Sequence, residues 1–402
     1  MPPPAGRIRE RASTMPPEIS LRRDKMYRFL FILSVAFTMG YLGWRTLFNN
    51  FAVESAHLTG YQIGLIQGVR EIPGLLTVAV IYFCLLLGEI RMAAVSVVVC
   101  GLFIGLTGFL PSFTGLLTTT LMSSFGAHFF LALNSSLALQ YYDQLTSPLV
   151  LARLYAFQAA GSVVMALFLF LLSQRLGYPV LFLISGILAL AAGGWGFFQK
   201  PVEKTLVPQH QRMIFRKRYW LFYALTLLAG GRRQIFVAFA LYLLVQKFHY
   251  TVTEITGLFV VTNVVCVFTT PYVGRGVNRF GERAVLSTEY ASVIAICLVY
   301  AFSGNRWLVG GMFVLDQIFF NFALAINTFF QKIGDPQDIG PSMAVGMTVN
   351  HVAAVVIPVL GGMVWMIDYR ITFLSGVGMA LCSLTLAQFI RLRRPREQGA
   401  RP

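Results

Sequence analysis

Gly43-Trp44-Arg45-Thr46-Leu47-Phe48 returns, 188 residues further on, as Gly231-Arg232-Arg233-Gln234-Ile235-Phe236. Each copy lies inside a long apolar stretch. An echo at nearly half the chain length points to two fused, similar halves. The repeated polar residue is an arginine, the side chain that hydrocarbon tolerates least without a partner or access to water.

Working outward from the echo, the two halves can be laid over each other. The offset is 188 in the first apolar span and 193 from the second onward. Gly64-Leu65 then meets Gly257-Leu258, and Gly88-Glu89 meets Gly281-Glu282. Leu131-Ala132-Leu133-Asn134-Ser135 meets Leu324-Ala325-Ile326-Asn327-Thr328. The change of five falls in the loop after the first span, where insertions cost little.

Twelve apolar runs, each long enough to cross ~30 Å of hydrocarbon, fall at about 27–49, 61–87, 92–110, 114–140, 150–174, 179–198, 218–246, 252–273, 284–303, 307–331, 341–366 and 371–390. Only 12% of the 402 residues are charged and 56% are hydrophobic, against about 25% charged in soluble domains. A soluble chain is excluded. So is a β-barrel, since no ten-residue alternation appears. The expected fold class is all-α and integral to the membrane: twelve spans as two pseudo-symmetric six-helix lobes, 27–198 and 218–392. A polar linker, 199–217, joins them, and Pro/Arg-rich and basic tails cover 1–26 and 393–402. With six spans per lobe the repeat is parallel, related by an axis along the membrane normal.

The net charge of +16 raises the question of nucleic acid, but its distribution answers it. With the N-terminus in the cytoplasm, 24 of the 32 Lys and Arg fall on that side. Four fall opposite (Arg175, Lys247, Arg306 and Arg370) and four within spans. This is a positive-inside pattern. It places both termini in the cytoplasm and the chain as a multi-pass protein of the inner or plasma membrane, with lipid rather than nucleic acid as its surroundings. The five cysteines all lie in apolar runs without paired spacing, so neither a metal cluster nor a disulfide framework follows. No nucleotide-binding or hydrolase motif is present; neither an enzyme nor a cofactor is expected.

Twelve spans as six plus six with a polar linker resemble the major facilitator superfamily of secondary transporters. Gly274-Arg275-Gly276-Val277-Asn278-Arg279-Phe280-Gly281-Glu282-Arg283 is similar to its cytoplasmic loop motif, with Asn278 where the pattern has Asp. The resemblance implies a conformational latch at Gly274, Asn278, Arg279, Gly281 and Arg283. The matching first-lobe loop keeps only Gly88, Glu89 and Arg91. Pro358-Val359-Leu360-Gly361-Gly362, followed by Asp368-Tyr369-Arg370, is similar to a further run of the family. The resemblance implies alternating access by a monomer around a mid-membrane site lined by spans 1, 4, 7 and 10, helped by 2, 5, 8 and 11.

Polar residues concentrate on those eight spans. Ser34, Thr38, Tyr41, Arg45 and Asn49 share one helical face. Four arginines lie within spans, Arg45, Arg70, Arg232 and Arg233, against two deep acids, Glu71 and Asp316. An arginine fork suits carboxylate or phosphate. The candidate substrate residues are therefore Arg45, Arg233, Arg70, Tyr41, Asn49, Asn134, Asn327 and Asn263. Glu71, Asp316, His128 and His351 are candidates for proton coupling or gating.

The expected function is secondary transport of a small anionic solute, an organic anion or an organophosphate, coupled to H+ or a counter-anion. Two alternatives stand beside it: proton-coupled efflux of amphipathic compounds, and a non-transporting sensor or assembly factor on the same fold. The structural alternative for the arginines is ion pairing, Arg45 with Glu71 and Arg233 with Asp316.

Overall fold

The computed structural model describes residues 24–58, 60–173, 175–201, 207–250 and 252–391. The tails expected at 1–26 and 393–402 lie outside these apart from Asp24–Met26, as does linker stretch 202–206. Among the described residues there are helices and turns and no strand.

Twelve spans follow in order. α1 is Lys25–Glu54. α2 starts at Gly60 and runs as two pieces, Leu65–Leu75 and Thr77–Leu87, bent by 43°. α3 is Glu89–Thr107, α4 Phe113–Tyr141, α5 Ser147–Leu172 and α6 Tyr178–Phe197. α7 is Lys217–Gln246, α8 Val252–Phe280 and α9 Glu282–Phe302. α10 is Arg306–Ile333, α11 Ile339–Trp365 and α12 Tyr369–Ala387.

Local sequence sets where these helices begin. Asp24, Ser112, Asn305 and Asp368 each turn a side-chain oxygen toward free backbone N–H groups of the first turn, the N-cap arrangement. Pro148 and Pro179 sit in the first turns of α5 and α6, where no N–H is needed. Pro73 also breaks α2. It has no N–H to give and its ring crowds the preceding turn, so the helix stops at Arg70 and resumes at Ile72.

The repeat is visible in matching details. α1 packs on α5 and α6 as α7 packs on α11 and α12, and α3 packs on α6 as α9 packs on α12. Gly88 and Gly281 hold φ of 75° and 83° and precede α3 and α9. Their ψ values of 158° and 163° belong to a region open essentially to glycine alone. The loops after α1 and α7 carry the same closing bond, from the N–H of Leu58 to the carbonyl of Ala52 and from that of Tyr250 to that of Leu244.

The lobes meet through α5 against α8, and through α11 against α2 and α4. The buried core shows where they are joined. One apolar cluster fills the first lobe and continues through the linker-side end of the second, by way of Tyr219, Phe222, Phe330 and Met343. A second cluster, from Ile235 to Ala380, belongs to the far half of the second lobe alone. Bonds across the lobes also fall on the linker side. Ser147 donates to Gln331, and the Gln331 amide donates to the carbonyls of Leu139 and Tyr142 at 2.7 Å each. The molecule is closed at the linker end.

Candidate functional site

Arg45 and Arg233 line one cavity of about 250 Å³, to which the first lobe contributes Arg45 and the second lobe the rest of the wall. Arg45 stands one turn beyond Tyr41 on α1, whose ring stacks between Phe37 and Trp44. Arg233 sits just before a π-helical turn, Ile235–Ala240, in α7; such turns recur at functional sites. Both guanidinium-bearing side chains are exposed to the cavity, and among the described residues neither makes a hydrogen bond or an ion pair. Arg233 lies over the Phe320 ring at 5.6 Å, within cation–π reach.

The ion pairs given as the alternative for these two arginines are not formed among the described residues; their neighbours pair instead. Arg70 donates to Glu71 from Nη2 at 2.8 Å and Nε at 3.2 Å. Adjacent residues on a regular helix point apart, and the pair forms where the helix is interrupted between Arg70 and Ile72. Arg70 is therefore engaged by its neighbour rather than by the cavity. Arg232, the residue standing where the first lobe has Trp44, donates to Glu289 of α9 at 3.1 Å. Both side chains are buried, at 4% and 6% exposure, and Arg232 also lies over the Tyr290 ring at 4.2 Å. Glu289 and Asp316 join Arg45, Arg232 and Arg233 in the cavity wall, which leaves a formal surplus of one positive charge. Asp316 accepts a bond from Gln317 at 3.0 Å and pairs with no arginine.

Several expected ligands are placed elsewhere. Asn134 is buried and accepts from the Ser34 hydroxyl at 3.1 Å, fastening α4 to α1. Asn263 turns its amide back to the Phe259 carbonyl of its own helix at 2.9 Å. Asn327 is half-buried and outside the cavity wall. Asn49 is exposed near the far end of α1. His128 and His351 touch each other across the lobes, with 2.9 Å between their Nε2 atoms, beside Glu71.

The loop-motif residues make packing and hydrogen-bond contacts. A Cβ on Gly274 would sit 2.5 Å from the Pro148 carbonyl oxygen, so glycine there lets α8 approach α5. The Asn278 amide donates to the Leu145 carbonyl of the other lobe at 2.6 Å. Arg283 donates to Gln388 at the end of α12, Arg279 is exposed, and Gly281 supplies the turn into α9. The amide acts as a donor, a role that a carboxylate at this place could not fill, and its buried oxygen has no partner among the described residues.

A larger cavity of about 570 Å³ opens at the linker end, walled by Glu89, Arg91, Gln140 and linker residues 207–211. Glu89 is held there by Gln140 and Ser136. The cavity lining is mainly apolar, with Glu89, Arg91, Lys200 and His210 as its ionisable residues.

Glu289 is not among the residues that the sequence singled out. The signal lay in the overlay: at an offset of 193 Glu289 matches Ser96, and Arg232 matches Trp44 at 188. A cation and an anion gained together in one lobe read as a pair.

The sequence matches the family model of the Major Facilitator Superfamily over residues 26–358. The chain belongs to the Major Facilitator Superfamily. It is thus a multi-pass transport protein, not an enzyme, and acts on small molecules in a lipid bilayer. No curated protein sequence matches it significantly. Solved structures with the same fold include a bacterial homologue of the iron transporter ferroportin in an outward-facing state, with a TM-score of 0.71 at 15% identity, covering 91% of this chain and 99% of that one. FucP in its outward conformation gives a TM-score of 0.71 at 13% identity, covering 92% and 100%. The human organic anion transporter MFSD10 gives 0.64 at 14%, covering 93% and 100%. At such identities the likeness carries the fold and leaves the substrate to the site.

Proposed function

We propose that this superfamily member is a secondary active transporter of a small anionic solute, an organic anion or an organophosphate, bound between Arg45 and Arg233. One observation carries the reading. Two repeat-related arginines, one from each lobe, face the same cavity, and neither is engaged by a carboxylate. A guanidinium in such surroundings calls for an anion. The cavity is also below the usual 300–1,000 Å³ of drug-sized pockets, which favours a small solute. With the linker end in the cytoplasm, as the basic residues suggest, the present arrangement is closed inward, and rocking the lobes would carry the solute between sides.

The test is a thermal-shift panel of anionic metabolites on purified protein, repeated on the Arg45→Gln/Arg233→Gln variant. Anions should stabilise the wild type. Each arginine should contribute about 10–100-fold in affinity, as charge-assisted bonds of about 1.5–3 kcal/mol imply. Unchanged binding in the double variant removes the clamp.

Asp316 favours a second reading, proton-coupled efflux of amphipathic compounds, because it is an acid in the cavity wall with no arginine bonded to it. Phe236, Phe313 and Phe320 around it supply apolar surface. Stabilisation by hydrophobic cations and not by anions would select that reading.

A further inference from the structure

We propose that Glu71, His128 and His351 form a binding site for one divalent transition-metal ion of the zinc class, held between the two lobes. The proposal is independent of the anion reading and rests on where the protons of the two imidazoles must be. The Ser124 hydroxyl donates to the Arg70 carbonyl at 2.6 Å, so it has no proton left for His128. The Nδ1 of His128 lies 2.8 Å from the Ser124 carbonyl and 3.0 Å from that hydroxyl oxygen. Both can only accept, so this Nδ1 carries hydrogen. The Nδ1 of His351 lies 3.0 Å from the Met347 carbonyl and carries hydrogen for the same reason.

In the neutral rings both Nε2 atoms are then lone pairs, and they are turned toward each other at 2.9 Å. Glu71 adds a carboxylate oxygen 3.7 Å from the Nε2 of His351. All three donor atoms lie within 4.8 Å of one another. Two opposed lone pairs and a carboxylate repel unless a cation sits among them. Two imidazoles and one carboxylate are the donor set of catalytic zinc sites, which keep a fourth position open.

The outer shell is already built. Each ligating histidine donates its other N–H to a backbone carbonyl, as metal-bound histidines do. Arg70 holds one oxygen of Glu71 and leaves the other for the ion. Space is made as well: a Cβ on Gly74 would lie 2.1 Å from the His351 ring. Metal–nitrogen bonds of ~2.0–2.1 Å at tetrahedral angles put two ligand nitrogens roughly 3.3 Å apart, so the rings need part only by a few tenths of an ångström. Glu71, at 22% exposure, leaves an entry path. The charged groups that face the trio are Arg70, already met by Glu71, and Arg233 from α7. That remaining positive charge favours an anion in the fourth position.

The ligands come from α2 and α4 of one lobe and α11 of the other. An ion there ties the lobes in their present arrangement, and rocking them must release it. No spacing motif announces the site, because its two histidines are 223 residues apart.

The experiment uses full-length protein in detergent, stripped with a chelator, then titrated with Zn2+ by calorimetry and with Co2+ by visible absorption. One equivalent per chain, a tetrahedral Co2+ spectrum and a raised melting temperature are expected. His128→Gln and His351→Gln should each lose more than the roughly 10–100-fold that removing an outer-shell partner costs. His57→Gln with His249→Gln, in exposed loops, should bind as the wild type does. Absence of saturable one-equivalent binding overturns the proposal, as does wild-type affinity in the His128 or His351 variant. If a variant does not fold, the wild-type Co2+ spectrum decides, since octahedral oxygen-only ligation is incompatible with the site. Stability that responds to acid but not to metal would mean that a shared proton bridges the rings, and also overturns it.

Discussion

The first lobe is neutral where the second is ionised. Trp44, Ser96 and Ser123 of the first lobe stand at the positions of Arg232, Glu289 and Asp316 in the second. Trp44 is fully buried in apolar packing. Ser96 and Ser123 give their hydroxyls to carbonyls of their own helix, Met92 and Thr120. In the second lobe the same three places hold a buried ion pair and a buried acid. Other positions agree, Arg45 with Arg233, Gly88 with Gly281, and the closing bonds after α1 and α7, whereas Arg70 and Glu71 of the first lobe stand against Asn263 and Val264. Repeated geometry thus places the paired arginines and the two glycine turns, and departures from the repeat put the fully buried Arg232–Glu289 pair in the second lobe and the half-buried Arg70–Glu71 pair in the first.

The largest test of that contrast is Glu289→Ala. It strands Arg232, which already has one buried Nη atom without a partner. Breaking a buried pair from one side costs about 3–5 kcal/mol, read as a lowered melting temperature of the purified protein. The neutral double variant Arg232→Met/Glu289→Gln should recover most of that loss, because a buried pair is often replaceable by uncharged groups of like size. A double variant no more stable than Glu289→Ala would mean that the pair does more than compensate itself.

Next come the positions where the lobes agree. Arg45→Gln and Arg233→Gln, made singly, should weaken anion binding by similar factors, about 10–100-fold each. A tenfold imbalance between them would mean that the solute leans on one lobe. Gly88→Ala and Gly281→Ala should each destabilise by about 1–3 kcal/mol through backbone strain. Nothing lies within 4 Å of a Cβ at either place, so packing adds nothing and the two losses should match. Unequal losses would show that the two turns are not equivalent.

The fold was legible because its signals are long and redundant: twelve apolar runs, one register across four stretches, and a sided charge distribution. The opposed arginines were legible because a repeat axis converts sequence register into geometry. The bond from Arg70 to Glu71 was not legible, because adjacent residues on a regular helix point apart and the pairing occurs where the helix is interrupted. The bond between Ser34 and Asn134 was not legible, because polarity on a cavity helix does not distinguish a ligand from a residue that satisfies a neighbouring helix. The His128–His351 contact left no trace because it is set by how α4 and α11 cross.

The smallest structural effect is expected at Asp316, and it isolates the functional meaning of the asymmetry. Asp316→Asn keeps the side-chain size and an oxygen for the Gln317 amide. It exchanges a carboxyl that no cation bonds for a neutral group of like size, so the melting temperature should change by the equivalent of only about 0–1 kcal/mol. If the second lobe carries the proton step, the same variant should flatten the pH dependence of solute uptake into proteoliposomes while anion binding persists. Ser123→Ala, at the matching place in the first lobe, should leave that pH dependence alone, since its hydroxyl only serves the Thr120 carbonyl. A pH profile that survives Asp316→Asn would move the proton step off the ionised lobe. The buried charge there would then serve to hold α7, α9 and α10 together, and the asymmetry would be one of stability rather than of coupling.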